Sequence, residues 1–166
     1  MNRQKRCVFL DRDGVINAAP PPGEYVTRWE DFHLMPGIVD WIRLLRALGY
    51  LVVVVTNQRA VALGQIPLAG LEEIHRRMAE VLAEAGAPLD DVYCCPHGEG
   101  ECGCRKPQTG LIRAAAGKWG IDLANSFLMG DSWRDRETAR NAGLTFIEVA
   151  AGRIGRVIPP DGRPPE

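Results

Sequence analysis

Two carboxylates stand two residues apart in Asp11-Arg12-Asp13-Gly14, directly after the short apolar run Cys7-Val8-Phe9-Leu10. If extended backbone continues through them, both side chains point to one face. Carboxylates that close repel unless they share a proton or a cation, so the pair suits Mg²⁺, a hard ion that prefers oxygen ligands. One of them can attack phosphorus while the other exchanges a proton with the leaving group and later with water. Alone the pair is weak evidence, because a solvated turn that caps a helix has the same composition. Other apolar runs are also followed by polar residues: Thr56-Asn57-Gln58 after Leu51 to Val55, and Asp131 just beyond Ser126 to Met129. Arg105-Lys106 closes the connection that follows Asp91 to Cys94.

A second group offers different chemistry. Cys95-x-His97 and Cys102-x-Cys104 bring three thiols and one imidazole into a short segment, a donor set suited to closed tetrahedral zinc. The spacing is tighter than in a zinc finger, and a few free thiols would give the same letters. Cys94 competes for the first ligand position; its other reading, shared with Cys7, is an inward-packing strand residue. A closed four-ligand site leaves no position for water, so a zinc here would be structural. Because the segment runs straight into Arg105-Lys106, it would fix that lysine. His33 and His75 lack metal-ligating neighbours in sequence and read as flap and helix-flank residues.

These residues need elements to carry them. Cys7 to Leu10 reads as a buried strand, and residues 17–36, rich in proline and polar side chains, as a loop or flap. Ile38, Trp41, Ile42, Leu45 and Leu48 recur at helical spacing, with Gly49 placed to end the helix. Leu51 to Val55, uncharged and rich in valine, predicts a central strand. A helix between Pro67 and Gly86 follows, then a strand at 91–94 and a helix at about 109–119. A strand at 126–129, a short helix at 134–141 and a strand at 144–149 complete the series. Strand and helix in alternation, with short connections, predict a doubly wound, mostly parallel Rossmann-like α/β sheet. Such sheets bind ligands beyond the carboxyl ends of their strands, where the polar residues above fall. Residues 1–150 are expected to form a single domain that includes the loop 95–104, with no large cap domain. The glycine-, proline- and arginine-rich stretch 151–166 is expected to be a flexible tail.

Asp11-x-Asp13-Gly14, Thr56-Asn57-Gln58, Lys106-Pro107 and Gly130-Asp131, in that order, resemble the four motifs of the haloacid dehalogenase superfamily of phosphatases. The likeness runs from about residue 7 to 149. Asp11-Arg12-Asp13-Gly14-Val15-Ile16-Asn17, Cys95-Pro96-His97 and Cys102-Gly103-Cys104-Arg105-Lys106-Pro107 are further similar to the D-glycero-D-manno-heptose 1,7-bisphosphate phosphatases, a branch shared with the histidinol-phosphate phosphatases. The resemblance implies Asp11 as nucleophile and Asp13 as general acid and base, with the Asp13 carbonyl helping to hold Mg²⁺. It implies that Thr56 and Asn57 hydrogen-bond the phosphoryl group, that Lys106 neutralises its charge, and that Asp131 joins Asp11 on Mg²⁺. It also implies zinc on Cys95, His97, Cys102 and Cys104. Gln58, Arg59 and Arg105 join Asn57 as candidate substrate contacts. Asp135 reads either as a partner of the metal water or of Lys106, or as a solvated helix acid. The segment Arg59-Ala60-Val61-Ala62-Leu63-Gly64 departs from the Ser-Gly-Ile-Ala-Arg-Gly of many relatives. It lies near the substrate's non-reacting end in the family, so Arg59 is either a contact to a second phosphate or a surface residue.

The expected activity is therefore removal of the 7-phosphate from a heptose bisphosphate, with histidinol phosphate as the alternative substrate. A nucleic-acid 3′-phosphatase shares the Thr-Asn-Gln element, but 20 basic against 21 acidic residues leave a net charge of −1, without the basic excess of a nucleic-acid binder. A non-catalytic zinc module is disfavoured because every catalytic position is filled. Hydrophobic residues at 46% and charged ones at 25% fit an ordinary globular domain. The basic opening Met1 to Arg6 precedes only four apolar residues, too few for a signal core of about 7 to 15 or a membrane span of about 20. Five cysteines, four of them between 94 and 104, point to metal or redox chemistry in a reducing compartment. A cytoplasmic monomer acting on a small phosphorylated sugar, with neither nucleic acid nor membrane as partner, is expected.

Overall fold

The computed structural model describes residues 4–161. Its centre is strand β1 (Cys7–Leu10), with β2 (Leu51–Asn57) on one side and β4 (Phe127–Gly130) on the other. β3 (Asp91–Cys95), β5 (Thr145–Ala150) and β6 (Arg153–Ile158) complete one six-stranded sheet in the order β3-β2-β1-β4-β5-β6. The first five strands are parallel, and β6 returns antiparallel to β5 along the edge.

Parallel strands need crossovers, and helices α1 (Ile38–Ala47), α2 (Leu68–Glu84), α3 (Gly110–Trp119) and α4 (Trp133–Ala142) supply them. Successive strand residues point to opposite faces, so β1 and β2 divide their side chains between two cores. Val8, Leu10, Val52 and Val54 pack with Ile42, Leu71, Met78 and Leu82 of α1 and α2. Cys7, Phe9, Val53 and Val55 pack with Leu111, Ile112 and Ala139 of α3 and α4. Burial of both faces explains why β2 carries no charged side chain. This is the expected doubly wound sheet, and every strand and helix expected between residues 7 and 149 is present.

Two features differ from expectation. The stretch 151–166 was expected to be a tail, yet Arg153–Ile158 forms β6; residues 162–166 lie outside the described residues. The strand β1 also stops at Leu10, so the geometry assumed for Asp11 and Asp13 does not continue. The chain turns instead, with the Arg12 carbonyl accepting from the N–H groups of Val15, Ile16 and Asn17. Among the described residues, no helix is long and apolar enough to cross a membrane.

Candidate active site

Asp11 follows β1, and its N–H donates to the Met129 carbonyl of β4, which locks the two strand ends together. Across that junction lie Asp131, just past β4, and Asp135 in the first turn of α4. Carboxylate oxygens of Asp11, Asp131 and Asp135 all lie within 4.8 Å of one another. Backbone shape permits this crowding. Gly14 sits at φ 88°, and a Cβ on it would come within 1.9 Å of an Asp131 oxygen. A Cβ on Gly130 would lie 2.3 Å from the Asp135 Cβ.

Lys106 reaches into the cluster from the loop before α3 and is 3% exposed. Its ammonium donates to Asp135 Oδ1 at 2.5 Å and to the Val55 carbonyl at 2.9 Å, and pairs with Asp11 Oδ1 at 3.0 Å. All three ammonium protons are thereby directed. Burial alone would lower the lysine's pKa, but Asp11 and Asp135 outweigh it and hold the charge in place. Asp135 is fully buried; its second oxygen accepts from the Ser132 hydroxyl at 2.6 Å, inside a capping box that starts α4. Of the two readings of Asp135, the structure favours the partner of Lys106 over the solvated acid.

Asp13 is served by a separate set of donors. Arg12 Nε and Nη2 donate to its Oδ1 at 3.2 and 2.9 Å, Asn17 Nδ2 at 2.9 Å to the same oxygen, and Gln58 Nε2 at 2.9 Å to Oδ2. Burial opposes ionisation of Asp13, yet Arg12, Asn17 and Gln58 together hold its pKa below the usual carboxylate value. The other acids behave oppositely. Burial and Asp135 push Asp11 well up, with Lys106 offsetting part of the effect. Partial withdrawal from water and Asp135 push Asp131 up to about 6.

Four carboxylates, Asp11, Asp13, Asp131 and Asp135, thus share two cations, Arg12 and Lys106. The excess of two negative charges, lined by oxygen donors, fits a divalent hard cation. The Cys/His segment fits a different ion. Neighbouring ligand atoms are 3.5 Å apart for Cys95–Cys102, 3.2 Å for Cys102–Cys104, 3.3 Å for Cys104–His97 Nδ1 and 3.6 Å for His97 Nδ1–Cys95. A zinc tetrahedron with bonds of about 2.0 to 2.3 Å has edges of roughly 3.5 to 3.8 Å, so the four atoms need only slight expansion. Cys94, the competitor for the first position, lies outside this group and packs against the core on the α1–α2 side of the sheet.

The remaining candidates divide. Thr56 Oγ1 accepts from Gln58 at 2.9 Å, so its own hydroxyl proton stays available to a ligand. Asn57 was expected to bond the phosphoryl group, but its side-chain amide clasps the Lys106 backbone: Nδ2 donates to the carbonyl at 3.0 Å and Oδ1 accepts the N–H at 2.9 Å. Gln58, expected at the substrate, is buried and directed to Asp13 and Thr56. Arg105 donates to the His97 carbonyl at 3.4 Å, across the Cys/His segment. Arg59 is half-buried, with an Nε that has no partner among the described residues. Sequence reasoning assigned no role to Arg12 or Asn17. A charged residue between two acids reads as solvent-facing, and nothing local marks it as buried.

The chain aligns with the D-glycero-β-D-manno-heptose-1,7-bisphosphate 7-phosphatase of Pseudomonas putida at 39% identity over 154 residues, 92% of this chain and 87% of the relative. The chain belongs to the heptose-bisphosphate phosphatase family of haloacid dehalogenase-type hydrolases. A family model for HAD-hydrolase-like proteins matches residues 103–157, the stretch that carries Lys106, Asp131 and Asp135. The D-glycero-α-D-manno-heptose-1,7-bisphosphate 7-phosphatase of Mycobacterium tuberculosis is 38% identical over 151 residues, 90% of this chain and 79% of its own. Among solved structures, the D,D-heptose 1,7-bisphosphate phosphatase of Bordetella bronchiseptica, complexed with magnesium and phosphate, superposes with a TM-score of 0.81 at 35% identity. That superposition covers 89% of this chain and 83% of the other.

Proposed function

We propose that the protein is a Mg²⁺-dependent phosphomonoesterase that removes the 7-phosphate of D-glycero-D-manno-heptose 1,7-bisphosphate through an aspartyl-phosphate at Asp11. The observation that carries this reading is the convergence of Asp11, Lys106, Asp131 and Asp135 at the ends of β1 and β4. It occurs in a chain that matches curated heptose-bisphosphate phosphatases over 92% of its length. Mg²⁺, held by Asp11, Asp131 and the Asp13 carbonyl, supplies charge neutralisation to the phosphoryl oxygens when bound.

An Asp11 oxygen attacks phosphorus as the bond to the sugar oxygen breaks, and Asp13 gives that oxygen a proton. Water then attacks the phosphorus of the aspartyl-phosphate and gives a proton to Asp13, which frees phosphate and restores Asp11. The donors around Asp13 favour its carboxylate, the form the second half-reaction requires. Lys106 balances charge on Asp11 and the phosphoryl group, and the free Thr56 hydroxyl proton bonds a phosphoryl oxygen. Asn57 acts through Lys106, whose backbone it holds. Arg59 and Arg105 serve the non-reacting phosphate, a role supported by the unpartnered Arg59 Nε and the long Arg105 contact. Zn²⁺ on Cys95, His97, Cys102 and Cys104 orders the segment that delivers Lys106.

Steady-state rates with Mg²⁺ on both anomers of the heptose bisphosphate, histidinol phosphate and a 3′-phosphorylated oligonucleotide test the reading. The heptose bisphosphates should lead in kcat/KM by about a hundredfold, as expected when a site built for a second anion meets a substrate without one. A higher kcat/KM on histidinol phosphate overturns the substrate, and no Mg²⁺-dependent turnover of any of them overturns the phosphatase.

A further inference from the structure

Arg12 is the largest fully buried side chain among the described residues. A buried cation is costly unless every proton finds an acceptor. Nε and Nη2 find Asp13, but Nη1 points away from it, across to α2. There it meets Nε2 of His75 at 3.1 Å, 63 residues distant in sequence. Arginine has only donors, so Nε2 must be the accepting nitrogen and any proton of the neutral ring must sit on Nδ1. The surroundings agree: burial and the neighbouring Arg12 charge push His75 down to about 4. His75 is 8% exposed. His75 lies on α2, as the helix-flank reading expects, with its ring turned to the buried guanidinium. On the guanidinium's remaining side the Phe32 ring lies 5.9 Å away, and Phe32 stacks on Trp29 at 5.0 Å, so the flap closes over the pair.

The guanidinium is planar and its donors form a rigid fork. Fixing Nη1 therefore fixes the direction of the Nε and Nη2 donors, and with them the Asp13 carboxylate. We propose that His75 is a positioning residue that acts through Arg12 to hold the Asp13 carboxylate in place for the water-consuming half of the reaction. This rests on the aspartyl-phosphate reading above. Without an acceptor at residue 75, Arg12 turns to find another, and Asp13 loses its bidentate partner. Formation of the aspartyl-phosphate from a substrate with a good leaving group needs no proton from Asp13 and stays fast. Its hydrolysis needs the oriented carboxylate and slows.

The test compares His75→Leu, which keeps apolar bulk but has no acceptor, with His75→Gln, whose Oε1 can replace Nε2. With p-nitrophenyl phosphate and Mg²⁺, His75→Leu should lose about tenfold in kcat, a part of what general base catalysis contributes, while kcat/KM stays within about twofold. A burst of one nitrophenol per enzyme should precede the slow phase. His75→Gln should regain kcat to within about threefold of wild type. An unchanged kcat in His75→Leu overturns the proposal. So does an equal fall of kcat and kcat/KM in both variants, the mark of a merely structural role. Nitrogen-15 spectra of the wild-type imidazole at pH 7 supply a readout independent of turnover. They should show Nδ1 protonated and Nε2 bare; a protonated Nε2 overturns the arrangement. A wild-type protein with the bare Nε2 but no phosphatase activity would instead refute the function proposed above, and His75's role with it.

Discussion

The two donor clusters lie on either side of Lys106 and are built on opposite principles. The carboxylates stand on strand ends and a helix start, joined by backbone hydrogen bonds between β1 and β4, so their positions are set by the sheet. The thiols and imidazole stand on a segment between β3 and α3 without regular structure, where only Cys95 belongs to a strand. In the first cluster the frame is rigid and the charges are unbalanced. In the second, three thiols and an imidazole close on one another in a segment otherwise held by loop contacts such as Gly98 N–H to Glu101 and Arg105 to the His97 carbonyl. A rigid frame holding uncompensated charge can bind a cation and still leave room for a reacting group, which catalysis needs. A closed donor set can only organise its own chain. Substitutions in the two clusters should therefore separate activity from stability.

The largest effect should come from the carboxylates. Asp11→Asn should fall below about one-thousandth of the wild-type rate, because an amide cannot form the acyl phosphate. Asp131→Ala should fall about as far by losing the divalent cation. In Mg²⁺-free buffer neither should melt lower than wild type, since each removes one of the crowded acids that burial and Asp135 already disfavour. Rates at saturating Mg²⁺, paired with calorimetric melting temperatures in Mg²⁺-free buffer, check both. An Asp11→Asn protein that keeps more than about one percent of the rate would remove Asp11 as nucleophile.

The thiol cluster should show the converse at smaller scale. Cys102→Ser or Cys104→Ser exchanges a soft ligand for a poor one. The melting temperature should drop by about 5 to 10 °C, as a loss of about 2 to 3 kcal/mol would give in a domain of this size. The rate should fall by about tenfold without vanishing, as for the loss of a residue that orients a site from outside. Lys106 keeps two other supports, the Asn57 clasp on its backbone and Asp135 on its ammonium. Bound zinc, measured by elemental analysis, should drop from close to one per chain. Variants that melt like wild type yet are wholly inactive would make this metal catalytic and erase the contrast.

Most of this contrast was legible in the chain. The valine-rich run of β2, the polar residues ending each strand and the Cys/His spacing all express local constraints, and local constraints survive in sequence. What escaped depends on distant partners. The family resemblance made Asn57 a phosphoryl contact and Gln58 a candidate substrate contact; their amides are taken by Lys106 and Asp13, 49 and 45 residues away. Arg12 and His75 were opaque for the same reason. Asp135 stayed ambiguous because an acid four residues past Asp131 suits a solvated first turn as well as a buried lysine. The strand β6 was hidden by its own edge position. Arginines, Gly155 and exposed Ile154 and Val157 make a poor core strand but an acceptable edge one.

The smallest expected effect tests whether the clusters also differ in the sign of their response to pH. Asp131 ordinarily ionises near 3.8 but in the folded protein near 6. Between those values the folded state binds the extra proton, so stability is highest below 3.8 and is lost as pH rises through 6. Asp131→Asn never ionises there and avoids that loss. In Mg²⁺-free buffer the variant should melt about 1 to 3 °C above wild type at pH 8 and match it near pH 4. Millimolar Mg²⁺ should reverse the order at pH 8, because wild type then gains the ligand's binding free energy and the variant gains less. Zinc sites run the other way: thiols must lose protons to bind, so the benefit of the Cys/His cluster grows with pH. The deficit of Cys102→Ser against wild type should accordingly be largest at pH 8 and shrink toward pH 4 as both proteins release the ion. If instead Asp131→Asn loses to wild type at pH 8 without Mg²⁺, the carboxylates are not an uncompensated cluster. The contrast between an open, charge-strained site and a closed, self-satisfied one would then fail at its first term.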